Sequence, residues 1–163
     1  MSKKVRDLTY SAVLAAAYVV LTHLQNILFP NSASMAIQFR LSEALCVMAF
    51  FTPAAIPGLS LGCLLFNLTS GTALPLDFLL GTTATALSTW LMWLTRKLTV
   101  GGFPLPGLLM PGLFNAFLVG WELSVYIGGG FWFNALCVAF GETAVLLLPG
   151  TLLYYALRKR NLF

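Results

Sequence analysis

Residues 8–29, LTYSAVLAAAYVVLTHLQNILF, form a long apolar segment that contains no Asp, Glu, Lys or Arg. An α-helix rises about 1.5 Å per residue, so roughly 20 such residues cross the hydrocarbon core of a bilayer. Lys3, Lys4 and Arg6 precede the segment, but the apolar run is too long for a signal peptide and no clean small-residue cleavage pattern follows it. We therefore expect a retained transmembrane helix.

The composition extends this interpretation to the whole chain. Of the 163 residues, 59% are hydrophobic and only 9% are charged, whereas about a quarter of a soluble domain is charged. So few charges cannot cover a soluble surface, which means that the lipid bilayer solvates most of the protein. We predict an all-α integral membrane protein, a single multi-pass domain (1–163) in the cell membrane.

Breaks rich in Pro, Gly, Asn and Ser divide the apolar sequence into six predicted helices. Their approximate ranges are 7–29, 41–52, 54–69, 76–96, 104–126 and 131–157. The second helix is short, because about 12 residues at about 1.5 Å each do not cross a core of about 30 Å. It is either a short tilted span or the first half of a kinked span that the third helix completes.

The distribution of basic residues decides between these two topologies. Apart from Arg40, the Lys and Arg residues form three clusters: Lys3, Lys4 and Arg6; Arg96 and Lys97; Arg158, Lys159 and Arg160. Basic loops concentrate on the cytoplasmic side of membrane proteins. Six spans place both termini and the central basic loop in the cytoplasm, whereas merging the second and third helices separates the termini. This distribution also explains the net charge of +4 without a nucleic-acid partner.

The sequence contains no motif that is typical of a catalytic site or a metal site. Cys46, Cys63 and Cys137 are odd in number, lie in apolar runs and lack metal-ligand spacing, so we expect core packing rather than disulfides or metal. The sequence contains no GxxxxGK[ST], HExxH or GxSxG motif. We expect neither an enzyme nor a cofactor in this chain.

Polar residues that are costly in a membrane fall in its predicted outer half. An ionisable side chain at the bilayer centre costs about 2.5 kcal/mol or more, so its presence indicates function. The residues concerned are Arg40, Glu43, Asn67, Asp77, Asn115, Glu122 and Glu142, with the further amides Gln38 and Asn134. They predict an outward-facing pocket for a small polar or cationic ligand, with Trp121 or Trp132 stacking on it. Asp7 is interpreted as a solvated surface charge.

Several of these residues also have purely structural explanations. Asp77 would stabilise the first turn of its helix, Asn67 could cap a helix end, and Glu43 follows Arg40 closely enough to pair with it. Trp132 fits an interfacial aromatic belt. Glu122 and Glu142 are harder to explain structurally, because they lie inside spans and away from helix caps.

Three pairs of small residues have the four-residue spacing that permits close helix packing. They are Ala12 and Ala16 in the first helix, Gly58 and Gly62 in the third, and Gly81 and Thr85 in the fourth. Each pair could pack within the bundle or dock against a partner's helix. The inner half of the membrane offers no polar path, so the chain alone does not resemble a complete alternating-access transporter.

Several short segments spread along the chain together resemble those of a known family. The segments are IQFRLSEAL (37–45), PAAIPGL (53–59), LGCLLFN (61–67), LDFLLGT (76–82), Asn115, GWE (120–122), FW (131–132) and GE (141–142). With the Ala-x-x-x-Ala helix, they resemble the substrate-binding S components of energy-coupling factor (ECF) transporters, and more narrowly the QueT family of queuosine-precursor transporters.

The resemblance implies a chain that captures queuine, or its 7-cyano or 7-aminomethyl-7-deazaguanine precursor, from outside. A membrane T component and two cytoplasmic ATPases, which hydrolyse ATP, would complete the importer. The implied substrate contacts are Arg40, Glu43, Asn67, Asp77, Asn115, Trp121, Glu122, Trp132 and Glu142. The implied docking face for the T component contains Ala12 and Ala16.

Three alternatives remain open from the sequence. An S component for another vitamin, such as thiamine or a pteridine, would use the same kind of pocket. A structural membrane subunit without a ligand would not need four outer-half carboxylates. A membrane enzyme using carboxylate chemistry would need a nucleophile or metal set that the sequence does not show.

Overall fold

Helices make up almost all the regular structure of the protein. The computed structural model describes residues 2–30, 39–71 and 73–160. The elements, in order, are α1 (Lys3–Leu28), a 3₁₀ helix (Leu41–Phe50), α2 (Ala55–Thr69), α3 (Asp77–Leu94), α4 (Leu105–Leu108), α5 (Met110–Tyr126), α6 (Phe131–Val145), a π-helical segment (Leu146–Gly150) and α7 (Thr151–Arg160). This order gives an all-helical bundle, as the hydropathy pattern predicts.

Three of the helical stretches are long and apolar enough to cross a membrane. They are Lys3–Leu28, Leu105–Tyr126 and Phe131–Arg160, and shorter apolar helices cover Leu41–Phe50 and Ala55–Thr69. α1 begins earlier than the predicted range, because the Ser2 hydroxyl accepts a hydrogen bond from the Val5 N–H at 3.3 Å and caps its start. Many apolar side chains face outward, as expected for a bundle solvated by lipid.

The predicted second helix is a 3₁₀ helix of 10 residues and not an α-helix. A 3₁₀ helix rises about 2.0 Å per residue, so it reaches about 20 Å where an α-helix of equal length reaches about 15 Å. It packs against α1, α2, α3, α6, the π-helical segment and α7. This surrounded position explains why most of its side chains are buried, including Glu43 and Cys46.

α1 and α2 approach each other closely at two glycines. A Cβ added to Gly58 would lie 2.7 Å from the Ser11 carbonyl oxygen, and one added to Gly62 would lie 2.7 Å from Tyr18 Cβ. Neither contact leaves room for a side chain. Gly58 and Gly62 therefore pack within the bundle, which was one of the two interpretations of this pair.

α5 and α6 pack through a second glycine pair. A Cβ on Gly112 would lie 2.7 Å from Thr143 Oγ1, and one on Gly120 would lie 2.8 Å from Ala135 Cα. The residue numbers rise on one helix as they fall on the other, so the two helices run antiparallel. These contacts also set the relative heights of the polar side chains on the two helices.

The last long helix is interrupted by the π-helical segment around Pro149. Proline has no N–H to donate to a preceding carbonyl, which disturbs the α-helical ladder. The Thr151 hydroxyl donates a hydrogen bond to the Leu146 carbonyl at 3.3 Å across this segment. Gly150 lies against Val47 of the 3₁₀ helix, so the interruption lies where the two elements meet.

The elements that carry the basic clusters end on the same side of the bundle. A cavity of about 380 Å³ there is lined by Lys3, Arg6, Asp7, Tyr10, Phe51, Thr52, Pro53 and Trp93. The Arg96 guanidinium lies 3.7 Å from the centroid of the Trp93 ring. The ring centroids of Phe51 and of Tyr154, which belongs to α7, are 5.4 Å apart. We call this the basic end; the cytoplasmic orientation of this end stays a prediction.

Candidate functional site

Seven polar residues from five elements are buried in the bundle. They are Arg40, Glu43, Asn67, Asp77, Asn115, Glu122 and Glu142, and each exposes at most 6% of its surface. We call this set the polar cluster. Its members begin the 3₁₀ helix or lie on that helix, α2, α3, α5 and α6. These are the seven non-aromatic residues that the sequence singles out for substrate binding, a role that stays a prediction.

Arg40 joins several parts of the polar cluster. Its Nη2 lies 4.0 Å from Asp77 Oδ1, and its guanidinium carbon lies 5.9 Å from the centroid of the Phe66 ring. It also interacts electrostatically with Glu142. Gly81 lies beside the guanidinium, and its missing side chain leaves space for Asn67, because an added Cβ there would lie 3.0 Å from Asn67 Nδ2.

Asp77 and Asn67 organise the start of α3. Asp77 Oδ2 accepts a hydrogen bond from the Leu74 N–H at 2.9 Å, and Asn67 Nδ2 donates to the Asp77 carbonyl at 2.8 Å. A first-turn carboxylate that reaches back to a preceding N–H is a helix-start motif. The structural explanation of Asp77 therefore applies, and its other oxygen still points towards Arg40.

Glu122 also supports the start of α3, although it belongs to α5. Its Oε1 accepts a hydrogen bond from the Leu76 N–H at 3.0 Å. This contact joins residues far apart in sequence, which is why no local pattern predicts it. Glu122 also interacts electrostatically with Asp77 and Arg40.

Glu43 has two partners that the sequence analysis missed as site residues. The Tyr18 hydroxyl donates to Glu43 Oε1, and Cys46 Sγ donates to Glu43 Oε2 at 3.1 Å. The sequence predicts core packing for Cys46 and gives no role to Tyr18. The signal that could have found Tyr18 is its phenol in the middle of a transmembrane helix, where a buried hydroxyl requires a polar partner.

Glu142 is the least satisfied carboxylate of the cluster. Within residues 2–30, 39–71 and 73–160 it makes no hydrogen bond, and it interacts electrostatically with Glu43 and Arg40. It is 1% exposed and lies about three turns into α6. An acidic group so deep in a membrane protein requires a compensating group.

Five carboxylate and amide atoms of the cluster have no hydrogen-bond partner in the part of the chain that the structure describes. They are Asn67 Oδ1, Asp77 Oδ1, Asn115 Nδ2, Glu122 Oε2 and Glu142 Oε2. Nearly all buried polar atoms in proteins are hydrogen-bonded, to protein or to water, so such atoms require an explanation. A polar ligand or water would satisfy both the acceptors and the donor in this set.

The two tryptophans proposed to stack on a ligand lie apart from the polar cluster. Trp121 is 48% exposed and Trp132 is 70% exposed. Neighbouring residues on an α-helix point about 100° apart, so burial of Glu122 turns Trp121 towards the outside. Trp132 contacts Phe131 edge-on at 5.0 Å. A stacking role for either tryptophan stays a prediction.

The remaining residues of interest have other positions. Asn134 Nδ2 donates to the Gly128 carbonyl at 2.9 Å and so holds the turn before α6. His23 Nε2 lies 3.1 Å from Thr69 Oγ1, outside the polar cluster. Gln38 lies outside the described residues. Ala12 and Ala16 are exposed on the outer face of α1.

A comparison with protein families identified one family model, described as QueT transporter, which matches residues 8–159. No match was found among curated proteins or among solved structures. The family and the long apolar helices agree in making this chain a membrane transport protein. Since the match extends over nearly the whole sequence, the chain belongs to the QueT transporter family.

Proposed function

We propose that this chain is the substrate-binding S component of an ECF-type importer and captures a queuosine precursor from outside for ATP-driven uptake. The observation that carries the proposal is the polar cluster, in which α2, α3, α5 and α6 bury polar atoms that have no hydrogen-bond partner among the described residues. In a member of a transporter family, a substrate is the natural partner for such atoms. The substrates considered are queuine and the 7-cyano and 7-aminomethyl forms of 7-deazaguanine.

The chemistry of the cluster suits a guanine-like base. The base presents neighbouring N–H donors, which a carboxylate accepts as a charge-assisted pair. Glu122 Oε2 and Asp77 Oδ1 are acceptors without a hydrogen-bond partner in the described part of the chain. Asn115 Nδ2 supplies a donor for a carbonyl oxygen of the same ligand.

The importer assigned to this chain requires partner subunits. The sequence contains no P-loop, so two cytoplasmic ATPases would hydrolyse ATP and a membrane T component would couple them to this chain. Ala12 and Ala16 are exposed and not used by the internal packing of α1. Their small side chains would let a helix of the T component approach closely.

The proposed topology has six spans with both termini in the cytoplasm. It is supported by the basic end, where α1 begins and α3 and α7 end. The shorter span would be the 3₁₀ helix, which is surrounded by other helices. Such an element does not need to match the bilayer thickness, because its neighbours and not the lipid cover it.

The direct test is calorimetric ligand binding to the purified full chain in detergent. We expect at least one of the three 7-deazaguanines to bind, and thiamine and riboflavin, used as controls, not to bind. Binding of only a control would keep the S-component role and overturn the substrate. Failure of every compound, with the chain alone and with the T component and ATPases present, would overturn the proposal.

Substitution of Glu122 tests whether its carboxylate binds the substrate. Glu122→Ala removes a carboxylate whose charge-assisted hydrogen bonds contribute about 1.5–3 kcal/mol, so we expect about a tenfold or greater loss of affinity. Asp7→Asn is the matched control, because Asp7 lies at the basic end. Unchanged affinity in folded Glu122→Ala protein would contradict the assignment.

A further inference from the structure

Charge is distributed very unevenly between the interior and the surface. Of the 5 acidic residues, Glu43, Asp77, Glu122 and Glu142 are buried, whereas of the 9 basic residues only Arg40 is buried. None of the undescribed residues carries a charged side chain, so this comparison covers every Asp, Glu, Lys and Arg. Burying charges of one sign is costly unless an opposite charge accompanies them.

The buried carboxylates differ in how far the protein itself satisfies them. Glu43 accepts hydrogen bonds from Tyr18 and Cys46. Asp77 and Glu122 each accept one backbone N–H at the start of α3. Glu142 accepts none from the described residues, although it is 1% exposed. It is therefore the carboxylate with the greatest need of an external partner.

The register between α5 and α6 places Glu142 and Glu122 at different depths. Gly112 faces Thr143 and Gly120 faces Ala135, so Glu142 is level with the start of α5 and Glu122 is near its end. The two Cα positions differ by about nine residues in height, or roughly 13 Å at 1.5 Å per residue. The two carboxylates thus meet different parts of a bound molecule.

We propose that Glu142 binds a positively charged ammonium group of the substrate at the deep end of the polar cluster. Glu122, at the shallow end, binds the edge of the base. The inference rests on the proposed function and selects within it: amine-bearing 7-deazaguanines bind, and the 7-cyano compound binds more weakly. An ammonium offers donors and a compensating charge to Glu142, whereas a nitrile is a neutral acceptor that offers neither.

The test compares two ligands and two substitutions that remove charge but keep shape. Binding of 7-aminomethyl-7-deazaguanine and of the 7-cyano compound is measured by calorimetry on the full chain, for the unaltered protein and for Glu142→Gln, Glu122→Gln and Asp7→Asn. The unaltered protein is expected to prefer the aminomethyl ligand by about tenfold or more, the size of a charge-assisted contact.

Each substitution has a distinct expected pattern. Glu142→Gln lowers affinity for the aminomethyl ligand by about tenfold or more and changes that for the cyano ligand by about threefold or less. Glu122→Gln weakens both ligands by a similar factor, because both carry the same base edge. Asp7→Asn changes neither. Equal weakening of both ligands by Glu142→Gln overturns the inference.

The preference of the unaltered protein provides a test that does not depend on any variant folding. Equal or tighter binding of the cyano ligand overturns the role of Glu142 and leaves the proposed function intact. Failure of both ligands and of queuine to bind, with the chain alone and with the T component and ATPases present, instead overturns the proposed function. If Glu142→Gln does not fold, Glu142→Asp keeps the charge, and its preference for the aminomethyl ligand must survive.

Discussion

Two pairs of small residues with the same spacing occupy opposite environments in this protein. Gly58 and Gly62 of α2 press against the backbone and Cβ atoms of α1, with no room for a side chain. Ala12 and Ala16 of α1 are exposed. The same sequence pattern therefore marks an internal contact in one helix and an outward-facing surface in the other.

The difference teaches that spacing indicates close approach but not the partner. The buried side of α1 contains Leu14, Ala15, Tyr18, Thr22 and Gln25. At about 100° per residue, Ala12 and Ala16 lie more than about a quarter turn away from the centre of that side. Once Gly58 and Gly62 have selected the buried side, the alanine pair is left on the exposed side of α1, and its docking to a partner stays a prediction.

The largest effect is expected from filling the internal glycine contact. Gly58→Val would place its Cβ 2.7 Å from a backbone oxygen of Ser11, which cannot move without shifting the helix. We expect a loss of about 3 kcal/mol in the free energy of unfolding, at the upper end of overpacking costs. Denaturant unfolding in detergent measures it.

Gly71→Val is the matched control, because nothing lies within 4 Å of an added Cβ at Gly71. A Gly58→Val protein as stable as this control would mean that α1 and α2 do not pack as described. The internal contact assigned to Gly58 and Gly62 would then be contradicted.

A smaller effect is expected from Tyr18→Phe, because Tyr18 lies against Gly62 and also contacts Glu43 of the polar cluster. Gly62 lets Tyr18 approach α2 closely, and the Tyr18 hydroxyl donates to Glu43. Removing the hydroxyl leaves a buried carboxylate oxygen without this donor, at a cost of about 1–3 kcal/mol in unfolding free energy. We also expect weaker substrate binding, because Glu43 loses one of its two contacts.

The control for this substitution is Tyr154→Phe, which keeps the aromatic contacts of a tyrosine at the basic end. Unfolding and calorimetric binding are measured for both proteins. If Tyr18→Phe and Tyr154→Phe have equal effects on stability and binding, Tyr18 is a packing residue only.

The smallest effect on stability is expected at the exposed pair. Ala12→Leu with Ala16→Leu adds side chains on the outer face of α1, so the free energy of unfolding should change by no more than about 0.5 kcal/mol. Binding of substrate should be unchanged. Co-purification with the proposed T component should be lost, because the added side chains separate the helices.

Leu136→Phe supplies the control for bulk on an outward face, since Leu136 is 70% exposed on α6. Normal assembly of the importer after both alanine substitutions would show that this face is not the docking surface. Loss of assembly with Leu136→Phe as well would show that the effect is not specific to α1.

Burial of the polar cluster could be predicted because each member is costly in lipid. Glu122 and Glu142 interrupt apolar helices, and only an internal position avoids exposing them to hydrocarbon. Their partners could not be predicted in the same way. The contacts of Glu122 with Leu76 and of Glu43 with Tyr18 join distant residues, and no periodicity encodes such pairs.

The tryptophans show what residue type alone could not decide. Trp121 and Trp132 suit a ligand pocket and a lipid interface equally well by residue type, since an indole has an apolar body and a polar tip. Which side of a helix faces inward depends on the residues beside it. Glu122 and Asn134 take the inward positions on α5 and α6, and the tryptophans face outward.

By itself, the sequence determined that this protein is a helical membrane protein and that four of its five acidic residues, all except Asp7, must be buried. Both follow from the cost of placing charge and backbone polar groups in hydrocarbon, which depends only on residue type. The tertiary structure alone decided that residues 41–50 form a 3₁₀ helix, which small-residue pair packs internally, and which carboxylate oxygens have no hydrogen-bond partner among the described residues. Those outcomes depend on the close packing of neighbouring helices, where a difference of one side chain decides which atoms can meet.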